Sequence, residues 1–354
     1  MQLPAKARAK LLPVNMPDLP SSNHRIVLQK RPVGSMTTSC FSLDEQPLAQ
    51  LDPGQVRVVV DHLSVDAFIR TSLRGEGFHQ QVPIGGTIGA LGVGYIAEST
   101  DPDWPVGQAV SGGVGAQTVA TLAPKQLQKV DGSFAQLSAH LGVLGLTTGL
   151  TAWVGIRHVG QPQPGETVVV SAAAGAVGSI AGQVARLDGA HVIGIAGGPQ
   201  KAAFLVDELG FDAAIDYKSE DVRSRLGELA PDGVNVFFDN VGGDILDAVL
   251  DNLALRSRVV ICGAISQYDQ VDGVTGPSSY LKLAERQSRM EGFAVFHFPE
   301  SYATATAELA EWLGDGSLKA PEHVFEGIDQ FPQALIALFN GENLGKTLVK
   351  VSHS

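Results

Sequence analysis

Between residues 26 and 120, apolar positions fall in short alternating or continuous runs broken by turns: QVRVVVDHLSV follows DPG, and IGALGVGYIAES precedes TDPDWPVG. Such runs at close spacing predict an all-β, barrel-like unit. From residue 165 the rhythm changes. Six strand-like runs, TVVV, HVIGI, AAIDY, VNVFF, RVVIC and EGFAVF, alternate with stretches of helical periodicity starting near Gly178, Gln200, Asp244, Ser278 and Tyr302. Near-continuous apolar strands with interleaved helices predict a parallel sheet covered on both faces, a doubly wound α/β domain. The segment from residue 319 passes through a helix to a last strand and is expected to rejoin the first unit, which makes the α/β domain an insert.

Length changes the picture only slightly: 354 residues suit about two domains. Hydrophobic residues at 44% and charged residues at 18% fit a globular chain. A formal net charge of -12 argues against a nucleic-acid partner, because phosphate backbones are held by clustered Lys and Arg. Cys40 and Cys262 are the two cysteines, too few for a disulfide framework, and fit a reducing cytoplasm. No apolar run reaches the ~20 residues of a spanning helix, so no membrane partner is expected. Residues 1–22 read as a flexible extension, since Pro4 and Pro13 interrupt any helix there and no apolar core with a cleavage site follows.

The stretch SAAAGAVGS joins a strand, Thr167 to Val170, to the helical run SIAGQVARL. A dinucleotide fingerprint needs glycine at three spaced positions there, for the turn, for approach of a pyrophosphate and for helix packing. Ala173, Gly175 and Gly178 occupy them, so the first glycine is replaced. An incomplete motif is weak, but the strand-to-helix context strengthens it, because the helix amides face an anion.

A carboxylate about twenty residues further on would bind the ribose 2′-hydroxyl of NAD. None occurs between His191 and Lys201, where Gly197, Gly198, Pro199 and Gln200 lead into a helix. Lys201 in that first turn opposes the helix dipole unless an anion lies between, and the 2′-phosphate of NADP is such an anion. The alternative is a solvated helix charge. Tyr217 and Lys218 end the third strand within reach of the same phosphate, though Tyr217 reads equally as a packing residue.

With these residues in place the chain resembles the zinc-independent branch of the medium-chain dehydrogenase/reductase superfamily, and within it the prostaglandin, alkenal and curcumin reductase group. The resemblance spans residues 23 to 351 and is carried by LSVDAFIR, VGYIAES, LGVLGLTTGLTAWVGI, VGQPQPGETVVVSAAAGAVGS, GIAGGPQK, FDNVGG, ICGAISQYD, EGFAVF and GENLGKTLVKV. It implies a Rossmann NADP-binding domain over residues 146–318, inserted into a GroES-like β-rich catalytic domain formed by residues 23–145 and 319–354, commonly as a homodimer. It also implies NADPH as hydride donor and an α,β-unsaturated ketone or aldehyde as acceptor. Gly175, Ala176, Val177 and Gly178 would hold the pyrophosphate, and Gly197, Lys201 and Tyr217 the 2′-phosphate corner. Asn240 would touch the ribose or diphosphate. Cys262, Gly263 and Ala264, with Phe293, Ala294 and Val295, would line the nicotinamide, and Asn343 would bind near its ribose and carboxamide. The chain departs from the family pattern at Ala67, Phe68 and Ile69, where Pro-Tyr-Met is frequent, at Gly198 in place of a serine, and at Leu344 in place of an aromatic. The lost serine removes a phosphate hydrogen bond, and Phe68 changes the pocket wall.

The two cysteines lie far apart and the nine histidines form no close His/Cys ligand pattern, so no metal site is expected. Hydride transfer to a conjugated carbon places negative charge on the carbonyl oxygen as an enolate, which the protein has to stabilise. Tyr268, just past the fifth strand where such sheets bind ligands, is the candidate donor, with Phe68 and Phe293 as further pocket residues; a surface-turn tyrosine is the alternative. An NADPH-dependent quinone reductase and a non-catalytic NADPH-binding protein remain open beside enone reduction.

Overall fold

Val56, Val58, Val59, Val60 and Leu63, all in the strand Val56–Ser64, are fully buried, which gives that strand its central place in the N-terminal β-rich part. The computed structural model describes residues 17–75, 80–132, 136–268 and 274–351; most of the expected extension, residues 1–16, lies outside them. The N-terminal part opens with β1 (Ser22–Leu28) and β2 (Phe41–Pro47), an antiparallel pair. β3 (Val56–Ser64), α1 (Phe68–Ser72), β4 (Leu91–Ser99), β5 (Ala109–Gly113), β6 (Val119–Leu122) and β7 (Leu127–Lys129) follow. Arg57 is the one charged side chain in the buried run of β3 and is satisfied by Glu98 and by the Ala49 carbonyl.

The second unit opens on a helical turn at Leu146–Leu150 that leads into α2 (Thr151–Val154), and then alternates strand and helix. In order come β8 (Thr167–Ser171), α3 (Ala176–Leu187), β9 (His191–Ala196), α4 (Pro199–Ala203), β10 (Ala213–Asp216), α5 (Val222–Leu229) and β11 (Val234–Asp239). α6 (Gly243–Leu250), β12 (Leu253–Ile261), α7 (Leu281–Glu285), β13 (Arg289–Gly292) and α8 (Tyr302–Asp315) complete it. Its strands run β10-β9-β8-β11-β12-β13 in one sheet, and every pairing is parallel. The order reverses between β8 and β11, the switch point at which doubly wound sheets bind ligands. Val169, Ile193, Ile215, Phe237 and Val259 form the buried layer of this sheet.

The chain then returns to the first unit as β14 (Glu322–Glu326), α9 (Phe331–Phe339) and β15 (Lys346–Lys350), and β15 pairs antiparallel with β3. Contacts divide the described residues into those within 1–142, 322–342 and 347–354, which form one unit, and those within 143–321 and 343–346, which form the other. The mixed architecture is therefore a β-rich unit plus a six-stranded Rossmann sheet.

Two elements differ from the sequence expectation. The sixth strand is Arg289–Gly292, and the apolar FAVF that suggested it turns away into a short 3-10 helix at Val295–His297. α5 was not expected: only Val222 and Leu226 of its eight residues are buried, so its apolar stripe is faint. Its cap is nonetheless strong, because Asp221 accepts the Ser224 N–H at 2.8 Å.

Candidate functional site

The turn after β8 is built from small side chains. Ala172 takes the left-handed conformation at φ +46°, and its carbonyl accepts the Gly175 N–H at 2.9 Å. Gly175 is the extended N-cap residue of α3, and no side chain caps that helix. A Cβ on Gly178 would stand 2.5 Å from the Ala172 carbonyl oxygen, so glycine there lets the helix close onto the turn. Ala173 is tolerated at the first position because Gly194 on β9 faces it: a Cβ on Gly194 would meet that of Ala173 at 3.0 Å. The amides of Ala176, Val177 and Gly178 lie in the first turn of α3, where no intrahelical acceptor exists, and the helix dipole adds partial positive charge. The cradle fits a pyrophosphate.

At the neighbouring strand end, Gly197 packs under Tyr217 and Lys218, since an added Cβ would lie 2.9 Å from the Tyr217 ring and 3.0 Å from Lys218 Cε. Tyr217 remains 46% exposed, its ring forming a wall of the corner rather than part of the core. Lys201 sits half-buried in α4. Burial lowers its pKa, and the charge of Lys218 lowers it further. Neither ammonium group forms a direct ion pair among the described residues, though the Asp216 carboxylate lies near enough to feel the charge of Lys218, so two cations share one corner. Such a donor set fits a dianionic phosphate.

The ends of β8 and β11 are joined by a buried network. The Ser171 hydroxyl donates to Asp239 Oδ1 at 2.8 Å and accepts the Asn240 N–H at 2.8 Å. Asn240 Nδ2 donates to the Ser171 carbonyl at 2.8 Å. Asp239 also accepts the N–H groups of Val241 and Gly242, at 2.9 and 3.1 Å, which shapes the FDNVGG turn. Burial raises the Asp239 pKa and these hydrogen bonds oppose the rise.

The next strand end carries Cys262, Gly263 and Ala264. Both Cys262 and Gly263 donate their N–H to the Asp239 carbonyl, at 2.9 and 3.1 Å. Burial pushes the Cys262 thiol up to about 12, with Asp239 adding to it, so it is a neutral packing group at pH 7. The Tyr268 hydroxyl folds back over this loop, accepting the Ala264 N–H at 3.5 Å and lying 3.3 Å from where a Cβ on Gly263 would sit. Burial raises the Tyr268 pKa, so the phenol keeps its proton and is a donor at neutral pH.

Phe293 stands edge-on to Phe238 with ring centres 6.4 Å apart. Val295 is buried, and its carbonyl accepts the Tyr302 hydroxyl at 3.0 Å. Asn343 is buried too, donating from Nδ2 to the Gly345 carbonyl at 3.1 Å, while Gly345 donates its N–H to the Ala174 carbonyl at 2.8 Å. The structure thus places Gly175 to Gly178, Gly197, Lys201, Tyr217, Asn240, Cys262 to Ala264, Tyr268, Phe293, Val295 and Asn343 in one unit. Phe68 belongs to the other unit, where it begins α1 and packs against that unit's apolar core. Ser171, Asp216 and Asp239 were missed by sequence reasoning. A polar residue closing each of β8, β10 and β11 was the signal available.

Among the described residues no group of three or more His, Cys, Asp or Glu side chains is placed to hold a metal ion, and no helix is long and apolar enough to cross a membrane.

Residues 24–130 match a family model described as the N-terminal domain of oxidoreductase, and residues 176–311 match one described as zinc-binding dehydrogenase. The chain is 41% identical over 338 residues to YfmJ of Bacillus subtilis, covering 94% of this chain and 98% of that protein. The chain belongs to the medium-chain dehydrogenase/reductase superfamily. Within this superfamily it falls in the alkenal, prostaglandin and curcumin reductase group. A 2-alkenal reductase (NADP(+)-dependent) of Nicotiana tabacum is 36% identical over 338 residues, 94% of this chain and 98% of its own. Among solved structures, CurA from Vibrio vulnificus in complex with NADPH superimposes with a TM-score of 0.88 at 34% identity, covering 94% of this chain and all (100%) of that one.

Proposed function

We propose that this reductase-group protein uses NADPH to reduce the carbon-carbon double bond of α,β-unsaturated ketones or aldehydes. The single observation that carries the cofactor assignment is the Lys201 and Lys218 pair, two cations in no direct ion pair among the described residues, in the corner walled by Tyr217. Relatives named as an NADP-dependent 2-alkenal reductase and an NADPH-dependent curcumin reductase support the same reading.

In this reading Gly175, Ala176, Val177 and Gly178 hold the pyrophosphate, and Gly197, Lys201 and Tyr217 hold the 2′-phosphate. Asn240 and Asn343 fix the sugars, and Cys262, Gly263, Ala264, Phe293 and Val295 wall the nicotinamide. NADPH supplies, when bound, a hydride for the β-carbon of the acceptor. Tyr268, kept protonated by burial, donates a hydrogen bond to the acceptor's carbonyl oxygen, where charge develops as the enolate. Solvent then protonates the α-carbon. The homodimer and the cytoplasmic setting belong to the same proposal; sedimentation at twice the chain mass checks the first.

The test is an acceptor screen over enals, enones, quinones and saturated aldehydes, run with NADPH and NADH in parallel. The expected result is turnover of enals or enones with at least about tenfold preference for NADPH. Turnover of quinones alone, or equal rates with NADH, overturns the assignment.

A further inference from the structure

Asp216 ends β10 with 6% of its surface exposed and takes no part in the chemistry described so far. Its Oδ1 accepts the Gly198 N–H at 2.6 Å and the Lys218 N–H at 3.0 Å, and its Oδ2 accepts the Ser219 hydroxyl at 2.8 Å. The Asp216 N–H in turn donates to Glu220 Oε2 at 2.7 Å, and Glu220 is held by Arg225 at 2.9 Å. One carboxylate therefore ties together the two chain segments that carry the cations: Gly198 opens α4, whose third residue is Lys201, and Lys218 follows Tyr217 beyond β10.

That tie works against a repulsion. Lys201 and Lys218 are close enough for one charge to depress the pKa of the other. Like charges held together gain from separation, and the hydrogen bonds of Asp216 hold the α4 entry against the β10 end in spite of it. The Asp216 charge is meanwhile taken up chiefly by backbone and hydroxyl donors, the Gly198 N–H foremost, which lower its own pKa together with a smaller attraction to the Lys218 charge.

We propose that Asp216 is a positioning residue for recognition of the 2′-phosphate, a clamp that fixes the spacing of Lys201 and Lys218. The inference rests on the NADPH reading above. It distinguishes geometry from charge, because asparagine keeps the accepting Oδ1 and loses the negative charge, whereas alanine loses both.

The experiment is calorimetric titration of wild type, Lys201→Ala, Asp216→Ala and Asp216→Asn with NADP+ and with NAD+, which reads binding without turnover. Thermal unfolding of each unliganded variant confirms that it is folded. Asp216→Ala is expected to lose about tenfold or more of its NADP+ affinity with NAD+ affinity within about twofold of wild type, and Asp216→Asn to stay within about twofold for both. If Asp216→Ala does not fold, Asp216→Asn carries the test, since a direct electrostatic role predicts NADP+ binding tightened about tenfold on loss of the charge. A wild type that prefers NADP+ through Lys201 while Asp216→Ala keeps the preference overturns the clamp alone. A wild type that binds both dinucleotides equally overturns the NADPH reading and the clamp with it.

Discussion

Gly197 and Tyr217 face each other so closely that a Cβ on Gly197 would stand 2.9 Å from the ring. The ring, 46% exposed, can yield toward solvent, while Lys218 Cε stands 3.0 Å from the same added Cβ and crowds it as well. Gly197→Ala is therefore expected to displace Tyr217, cost about 1–3 kcal/mol in stability as an overpacked site, and weaken NADP+ binding more than NAD+ binding. Denaturant unfolding and titration with both dinucleotides check it.

Gly178→Ala tests the pyrophosphate cradle. The added methyl meets a carbonyl oxygen at 2.5 Å and the Ala173 Cα at 2.9 Å, both backbone, so α3 has to shift away from the turn. NADP+ and NAD+ should then weaken together by about tenfold or more, because both share the pyrophosphate. A loss confined to NADP+ contradicts the placement.

Ser171→Ala removes one donor from the buried Asp239 carboxylate and the acceptor of the Asn240 N–H. The expected cost is about 1–3 kcal/mol. Its sign with pH follows from the raised Asp239 pKa. A raised folded-state value means the stability this group provides is present below its unfolded pKa and falls as pH rises through the folded one. Losing the Ser171 donor raises the folded value further, so the penalty should be larger at pH 7 than at pH 4, as urea unfolding at the two pH values measures.

Tyr268→Phe keeps the ring and removes the hydroxyl. Enone turnover should fall about 10²-fold or more while NADPH binding is unchanged. Because burial raises the phenol pKa, the wild-type rate should hold through the ordinary tyrosine range near pH 10 and fall only above it. Steady-state kinetics from pH 6 upward read both effects.

The parallel sheet was legible because its strands are buried on both faces: Val168, Val169 and Val170, or Phe237 and Phe238, leave little doubt about period or depth. β13 was misplaced for a physical reason. An edge strand needs only backbone pairing with β12, so the polar RMEG forms it while the neighbouring FAVF packs through Phe293 and Val295 instead. Of the site, residues whose chemistry shows in their type were readable, such as Lys201 and the glycines near α3. Asp216 and Asp239 were not, because their role is to accept backbone N–H groups that only the folded turns bring to them.

The most direct test of the central claim follows one atom. The protein is supplied with NADPH deuterated at both C4 positions and an α,β-unsaturated ketone, and the product is examined by NMR. One deuterium at the β-carbon of the saturated ketone is the predicted result. Deuterium at the carbonyl carbon of an allylic alcohol, or no transfer to any conjugated acceptor, would contradict the account.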